Sequence, residues 1–157
     1  MSIITPQQFE ALLPLAGAWA TEQERIILQS GVPLTETQFA DARQVGVIYP
    51  DRVRLLRVAQ IPTPSHPMLA AAAAATNLIS PSTGGMTLRY GIFIRADCWK
   101  QRLLVAHELV HTSQYERLGG FEAFLRPYLL ECITPPGYPY GPMEQQALIL
   151  SGKLCAS

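Results

Sequence analysis

Apolar residues recur at Phe9, Leu12, Leu13, Ala16 and Trp19, the spacing of one face of a helix. Thr5 before Pro6, with Gln8 three residues after Thr5, has the form of a capping box with proline at the first helical position. A helical region is therefore predicted over 5–30, bent or split at Pro14. Gly31 stops its second segment, which holds Ile26, Ile27 and Leu28. Residues 35–42 add one or two turns, so 1–42 reads as a helical N-terminal segment. The pattern then changes. Val45, Val47 and Ile48 are β-formers, Tyr49-Pro50-Asp51-Arg52 is a turn, and 53–61 is a second strand, together a hairpin. Three prolines make 61–67 a loop, and the alanine-rich stretch 68–78 is a short buried helix. Residues 86–95 alternate as one strand, with Leu88, Tyr90, Ile92 and Ile94 on one face. Asp97 caps a helix over 98–118, which Gly119-Gly120 ends. A helix disturbed by Pro127 follows over 121–133, then a Pro/Gly/Tyr loop over 134–142 and a last helix over 143–154. The sum is an α+β domain over 1–157, with sheet and remaining helices in 43–157. It is mostly helical, around a small antiparallel sheet.

Composition adds exclusions. At 157 residues, 48% apolar and 15% charged, the chain is globular and long enough to bury a core without staples. A formal net charge of zero offers no basic patch, so no nucleic-acid partner is expected. The apolar run 68–75 is too short to span a bilayer, and no membrane partner is expected. Cys98, Cys132 and Cys155 are widely spaced and odd in number, which fits reduced thiols in a cytosol. Pro6, Glu10 and Pro14 interrupt the first stretch, which lacks the form of a signal peptide. The expected location is cytoplasmic, with signal-less export left open.

The chemistry lies in His107-Glu108-Leu109-Val110-His111. Residues four apart on a helix share a face, so the two imidazoles can meet one ion. Glu108 stands beside that pair, placed to take a proton from a metal-activated water without ligating the metal. Two ordinary helix histidines are the plain alternative. Against it, Leu103-Leu104-Val105-Ala106 precede the motif, and unpartnered imidazoles buried there are costly. Two of the chain's three histidines fall in this one spacing, while His66 sits in a proline loop and reads as solvated. Zinc is the expected ion, and a catalytic zinc needs a third protein ligand. Glu144, opening the last helix, stands ahead of Glu131; Glu116 and Glu122 are too close along the chain to fold back. Tyr138 and Tyr140, in the loop before Glu144, are the candidates to stabilise an oxyanion, ahead of Tyr115 and Tyr128. Gln114 is either a support for His111 or a solvated helix position. Arg89 and Arg95 read as exposed charges sooner than as substrate anchors, and Cys98 as a buried structural thiol.

The run from His107 to Tyr115 resembles the metal helix of the gluzincin metallopeptidases, in particular their small bacterial members. In these, His-Glu-Leu-x-His-x-x-Gln is followed by a helix opening with Glu and a nearby Ala, here Glu144 and Ala147. The resemblance covers about 86–147. It implies a zincin-like fold in which strand 86–95 forms a substrate-binding sheet edge. It implies zinc on His107, His111 and Glu144, Glu108 as base, and a peptide or protein substrate. Glu131 matches the ligand spacing of larger thermolysin-like members but lacks the Asn-Glu pair found there. The rival readings are a zinc-binding interaction module without turnover and a zinc hydrolase of another amide.

Overall fold

The computed structural model describes residues 4–156; residues 1–3 and 157, the ends of the expected domain, lie outside the described residues. Helix α1 (Pro6–Ser30) starts on the expected box: Thr5 Oγ1 accepts from Gln8 N at 3.1 Å, and Gln8 Oε1 accepts from Thr5 N at 2.8 Å. Pro14 does not split it. That residue faces solvent, where water can take the carbonyl its missing N–H leaves free. Strand β1 (Val32–Pro33) and helix α2 (Glu36–Gln44) follow.

The hairpin expected at 45–61 does not form. Val45 N–H bonds Asp41 O at 3.0 Å and Val47 N–H bonds Ala42 O at 2.9 Å, so this backbone finishes α2 instead of a ladder. Val45 and Val47 are buried against helices, and Pro50–Arg52 is a short 3₁₀ turn. Strand β2 (Arg54–Val58) then pairs antiparallel with β1. Chain 59–84, which carries α3 (Pro67–Ala75), separates β2 from the hairpin of β3 (Gly85–Leu88) and β4 (Gly91–Arg95). The sheet order is β1-β2-β4-β3 with β2 parallel to β4, so the sheet is mixed and not antiparallel. Helix α3 is not buried as expected: only Ala73 is, and Met68 is 41% exposed.

Residues 86–95 form two strands instead of one, separated by a two-residue turn at Arg89-Tyr90. Arg89 adopts φ +62°, and the Glu24 carboxylate holds the turn. It accepts from Arg89 Nε at 2.9 Å, Arg89 Nη2 at 2.8 Å and Tyr90 N at 3.1 Å. The turn also divides the expected face. Leu88 lies with Phe93 against α1, while Ile92 and Ile94 join the opposite core.

Asp97 caps no helix. It pairs with Arg95 at 2.6 Å, and α4 (Arg102–Leu118) begins after a 3₁₀ turn at Ala96–Cys98. Gly119, at φ +101°, ends α4 in the left-handed conformation. Helices α5 (Phe121–Ile133), unsplit by Pro127, and α6 (Pro142–Ala156) complete the chain. The fold is α+β. One sheet face packs on α4 and α6 around Ile92, Leu109 and Ala147; the other packs on α1 and α5 around Phe93, Ile27 and Phe124. Among the described residues no helix is long and apolar enough to cross a membrane.

Candidate metal centre

One turn apart on α4, the His107 and His111 rings have centroids 5.0 Å from each other. Glu144, in the first turn of α6, reaches both: Oε1 is 3.0 Å from His107 Nε2, and Oε2 is 2.6 Å from His111 Nε2. The three ligating atoms lie within 4.8 Å of one another, and this group can hold a metal ion. Glu144 and His111 are buried, and His107 is half-buried. Ala147, one turn after Glu144, is fully buried against α4, so the two helices approach closely there.

Gln114 fixes the tautomer of His111. Its Nε2 donates to Met143 O at 3.0 Å and to Gln146 Oε1 at 2.8 Å, so its Oε1, 2.8 Å from His111 Nδ1, must accept. Nδ1 therefore carries a proton, and Nε2 turns toward Glu144. A neutral imidazole there would set a lone pair against a carboxylate oxygen at 2.6 Å. Only a proton or a bound cation between the two relieves that contact. Burial opposes a charged His111, but the Glu144 hydrogen bond and the Glu108 and Glu144 charges outweigh it and raise its pKa to about 8. Burial likewise opposes an ionised Glu144, and the hydrogen bonds from both histidines hold it well below the usual carboxylate range. Two imidazoles and a carboxylate, converging by Nε2 and oxygen with the far ring nitrogen of His111 anchored, fit a divalent metal.

Glu108 is also buried, yet it belongs to no such group. Thr87 Oγ1, on β3, is 2.8 Å from its Oε1 and 2.9 Å from its carbonyl oxygen. Gly85, two residues before Thr87, lies so close that a Cβ on it would stand 3.0 Å from Glu108 Cγ and 3.2 Å from Cδ. Glycine lets the strand approach the carboxylate.

The other expected residues divide sharply. Glu131 Oε1 accepts from Met143 N at 2.8 Å and so supports the start of α6. Glu116 accepts from Ile48 N, Tyr49 N and the Tyr90 hydroxyl, and Glu122 is a surface partner of Arg126. Tyr138 is half-buried in the wall of a cavity that reaches His107, Glu108 and Glu144. Burial and the Glu144 and Glu108 charges push its pKa up, so the phenol keeps its proton. Tyr140 is 62% exposed and lies outside that wall. His66 is the N-cap of α3, its Nδ1 accepting from Met68 N at 3.2 Å. Arg89 and Arg95 are tied to Glu24 and Asp97, and Cys98 is buried.

Sequence spacing gave no weight to Thr87 or Gly85, and ranked Tyr128 only as a lesser oxyanion candidate. The Tyr128 hydroxyl donates to Glu144 Oε2 at 2.8 Å, and its ring meets His111 edge-on with centroids 5.7 Å apart. Tyr128 stands sixteen residues before Glu144 on a different helix, a relation no local pattern carries. Comparison with known proteins finds no match: no protein family, no curated protein and no solved structure is significantly similar to the chain.

Proposed function

We propose that the chain is a zinc-dependent hydrolase of peptide bonds with a zincin-like arrangement of helix and sheet edge. The observation that carries this reading is Glu108, buried beside the His107–His111–Glu144 group and outside it. A closed structural site has no use for such a carboxylate, whereas a site with three protein ligands leaves a position open. Zinc in this donor set supplies Lewis acidity, polarising a substrate carbonyl and bringing the pKa of water to roughly 7. Glu108 takes the proton of the attacking water and returns it to the leaving amine, with Thr87 fixing its orientation. Tyr138, protonated and in the cavity wall, donates to the carbonyl oxygen as charge develops there.

The sheet edge supports a peptide substrate. Strand β3 is an edge strand, and Arg95 N–H bonds Gly84 O at 2.8 Å. Antiparallel alternation then turns the backbone groups of Gly85 and Thr87 outward. The Tyr115 hydroxyl takes Thr87 O at 3.4 Å. Gly85, beside Glu108, is left for pairing with an extended chain.

The test is metal content together with a peptide-cleavage screen on wild type and Glu108→Gln. One equivalent of zinc in both, with cleavage by wild type alone, is the expected result. Absence of stoichiometric zinc overturns the reading. Zinc in both without cleavage by wild type leaves a binding module.

A further inference from the structure

Helix α3 carries an alanine run whose residues are mostly not buried, so core packing does not account for it. Its inner face does line something. Leu69, Ala72 and Ala73 of α3 form one wall of an apolar cavity of about 150 Å³, with Leu13 and Ala16 of α1 and Phe124 of α5 in the other walls. The same cavity is bounded by His107, Glu108, His111 and Glu144. The space exists because the facing positions are small: leucine at Ala16 or Ala73 would occupy it.

We propose that this cavity is the specificity pocket of the site and receives one neutral apolar side chain of the substrate, of phenyl or isobutyl size, adjoining the bond cleaved. The inference rests on the hydrolase reading above. Three features select that chemistry. Apart from the four site residues, the lining holds no Asp, Glu, Lys, Arg or His among the described residues, so a charged side chain would be desolvated there without a partner. The volume sets the size: an engineered apolar cavity of about 150 Å³ holds one benzene. A single ring or a leucine side chain fits, and a long acyl chain does not. The position sets the role, since a group in the cavity lies against Glu108 and the two histidines. Two of the helices that line the pocket, α1 and α3, come from the half of the chain outside the gluzincin resemblance, and a third, α5, lies within it.

Two hydroxamates and one hydrocarbon separate the parts. Zinc-loaded wild type is titrated with acetohydroxamate and with N-hydroxy-3-phenylpropanamide, and the metal-free protein with toluene, followed by NMR. The phenyl compound is expected to bind about 10- to 100-fold tighter than acetohydroxamate, from burial of the ring. Toluene is expected to shift cavity methyl signals. Ala73→Leu, and independently Ala16→Leu from the opposite wall, are expected to reduce the phenyl advantage at least about tenfold and to abolish the toluene shifts. Acetohydroxamate affinity stays unchanged in both, which also reports that the variants are folded. Equal affinity of wild type for the two hydroxamates, or a phenyl advantage that survives both substitutions, overturns the pocket and leaves the metal reading standing. Toluene binding without any acetohydroxamate binding has the opposite signature: it overturns the hydrolase reading, and the substrate role of the cavity with it.

Discussion

Two buried carboxylates in this protein, Glu24 at 4% exposure and Glu144 at 6%, are surrounded in opposite ways. Glu24 meets the guanidinium of Arg89 through both oxygens, and the backbone N–H of Tyr90 completes its shell. Its partner is permanently charged and planar, matched to the carboxylate fork, so the site is closed. Phe121 lies under the same guanidinium, 4.9 Å from ring centroid to Cζ. Glu144 has two imidazoles and a phenol. None of these carries a fixed charge, and His111 Nε2 needs a proton or a cation to face the carboxylate at all. One cluster neutralises its own charge and locks a turn. The other is completed only by something it can exchange. That difference, more than burial, distinguishes a structural ion pair from a chemical site.

The largest expected effect breaks the chemistry and leaves the cluster intact. On the proposed reading, Glu108→Gln removes the base and none of the three residues that would hold the metal. Turnover is expected to fall about 10²- to 10⁴-fold, the usual range for a general base. Zinc affinity, measured by competition with a chelator, stays within about threefold of wild type, since Glu108 is no ligand. Parallel loss of metal would place Glu108 in the ligand set and collapse the distinction drawn here.

Glu24→Ala strikes the closed cluster. The Arg89 side chain keeps 41% exposure, so its stranded charge is partly solvated. Unfolding free energy is expected to drop by about 2 kcal/mol, below the roughly 3–5 kcal/mol typical of a fully buried pair that loses a partner. Denaturant melts measure this. The one equivalent of zinc expected for wild type is expected in this variant too, because the turn at Arg89 supplies none of the candidate ligands.

Much of this was legible in the chain, for reasons that explain what was not. The His107–His111 spacing and the apolar residues around it are local, and α4 is the product of local pattern. Thr5 and Gln8 gave the start of α1, and Gly119 gave the end of α4, because caps are local too. The hairpin at 45–61 failed because β-branched residues pack equally well behind a helix, and Val45 and Val47 do that. The parallel pairing of β2 and β4 joins segments more than thirty residues apart, which periodicity cannot see. Glu144 stood ahead because it opens the last helix after a tight loop, a placement the resemblance shared, while Glu131 is absorbed by the backbone N–H of Met143. Thr87 and Tyr128 reach the site from other elements, and nothing in their own surroundings announces it.

Gln114→Ala tests how far the open cluster depends on its support. It frees His111 Nδ1 and removes the bridge to Met143 O and Gln146, so the imidazole loses its fixed tautomer. Loss of such an outer partner weakens metal binding about 10- to 100-fold, read by the same chelator competition. Gln114→Glu retains an acceptor for Nδ1 but sets its second oxygen against Met143 O and Gln146 Oε1, so only partial recovery is expected.

Smallest is the effect of loosening the base. Thr87→Val keeps shape and removes the hydroxyl that orients Glu108 from β3. A hydrogen bond to a charged group contributes about 1.5 kcal/mol, so kcat is expected to fall about tenfold. KM and zinc affinity are expected to hold, because Thr87 touches no ligating atom. Thr87→Ser restores the donor with less packing, and its kcat is expected to return toward wild type. A loss of rate that serine fails to repair assigns the effect to the packing of the threonine methyl group on the sheet. In that case the edge strand, and not the hydroxyl, positions Glu108. The contrast between the clusters would then rest on backbone approach at Gly85, where a Cβ would meet the carboxylate at 3.2 Å.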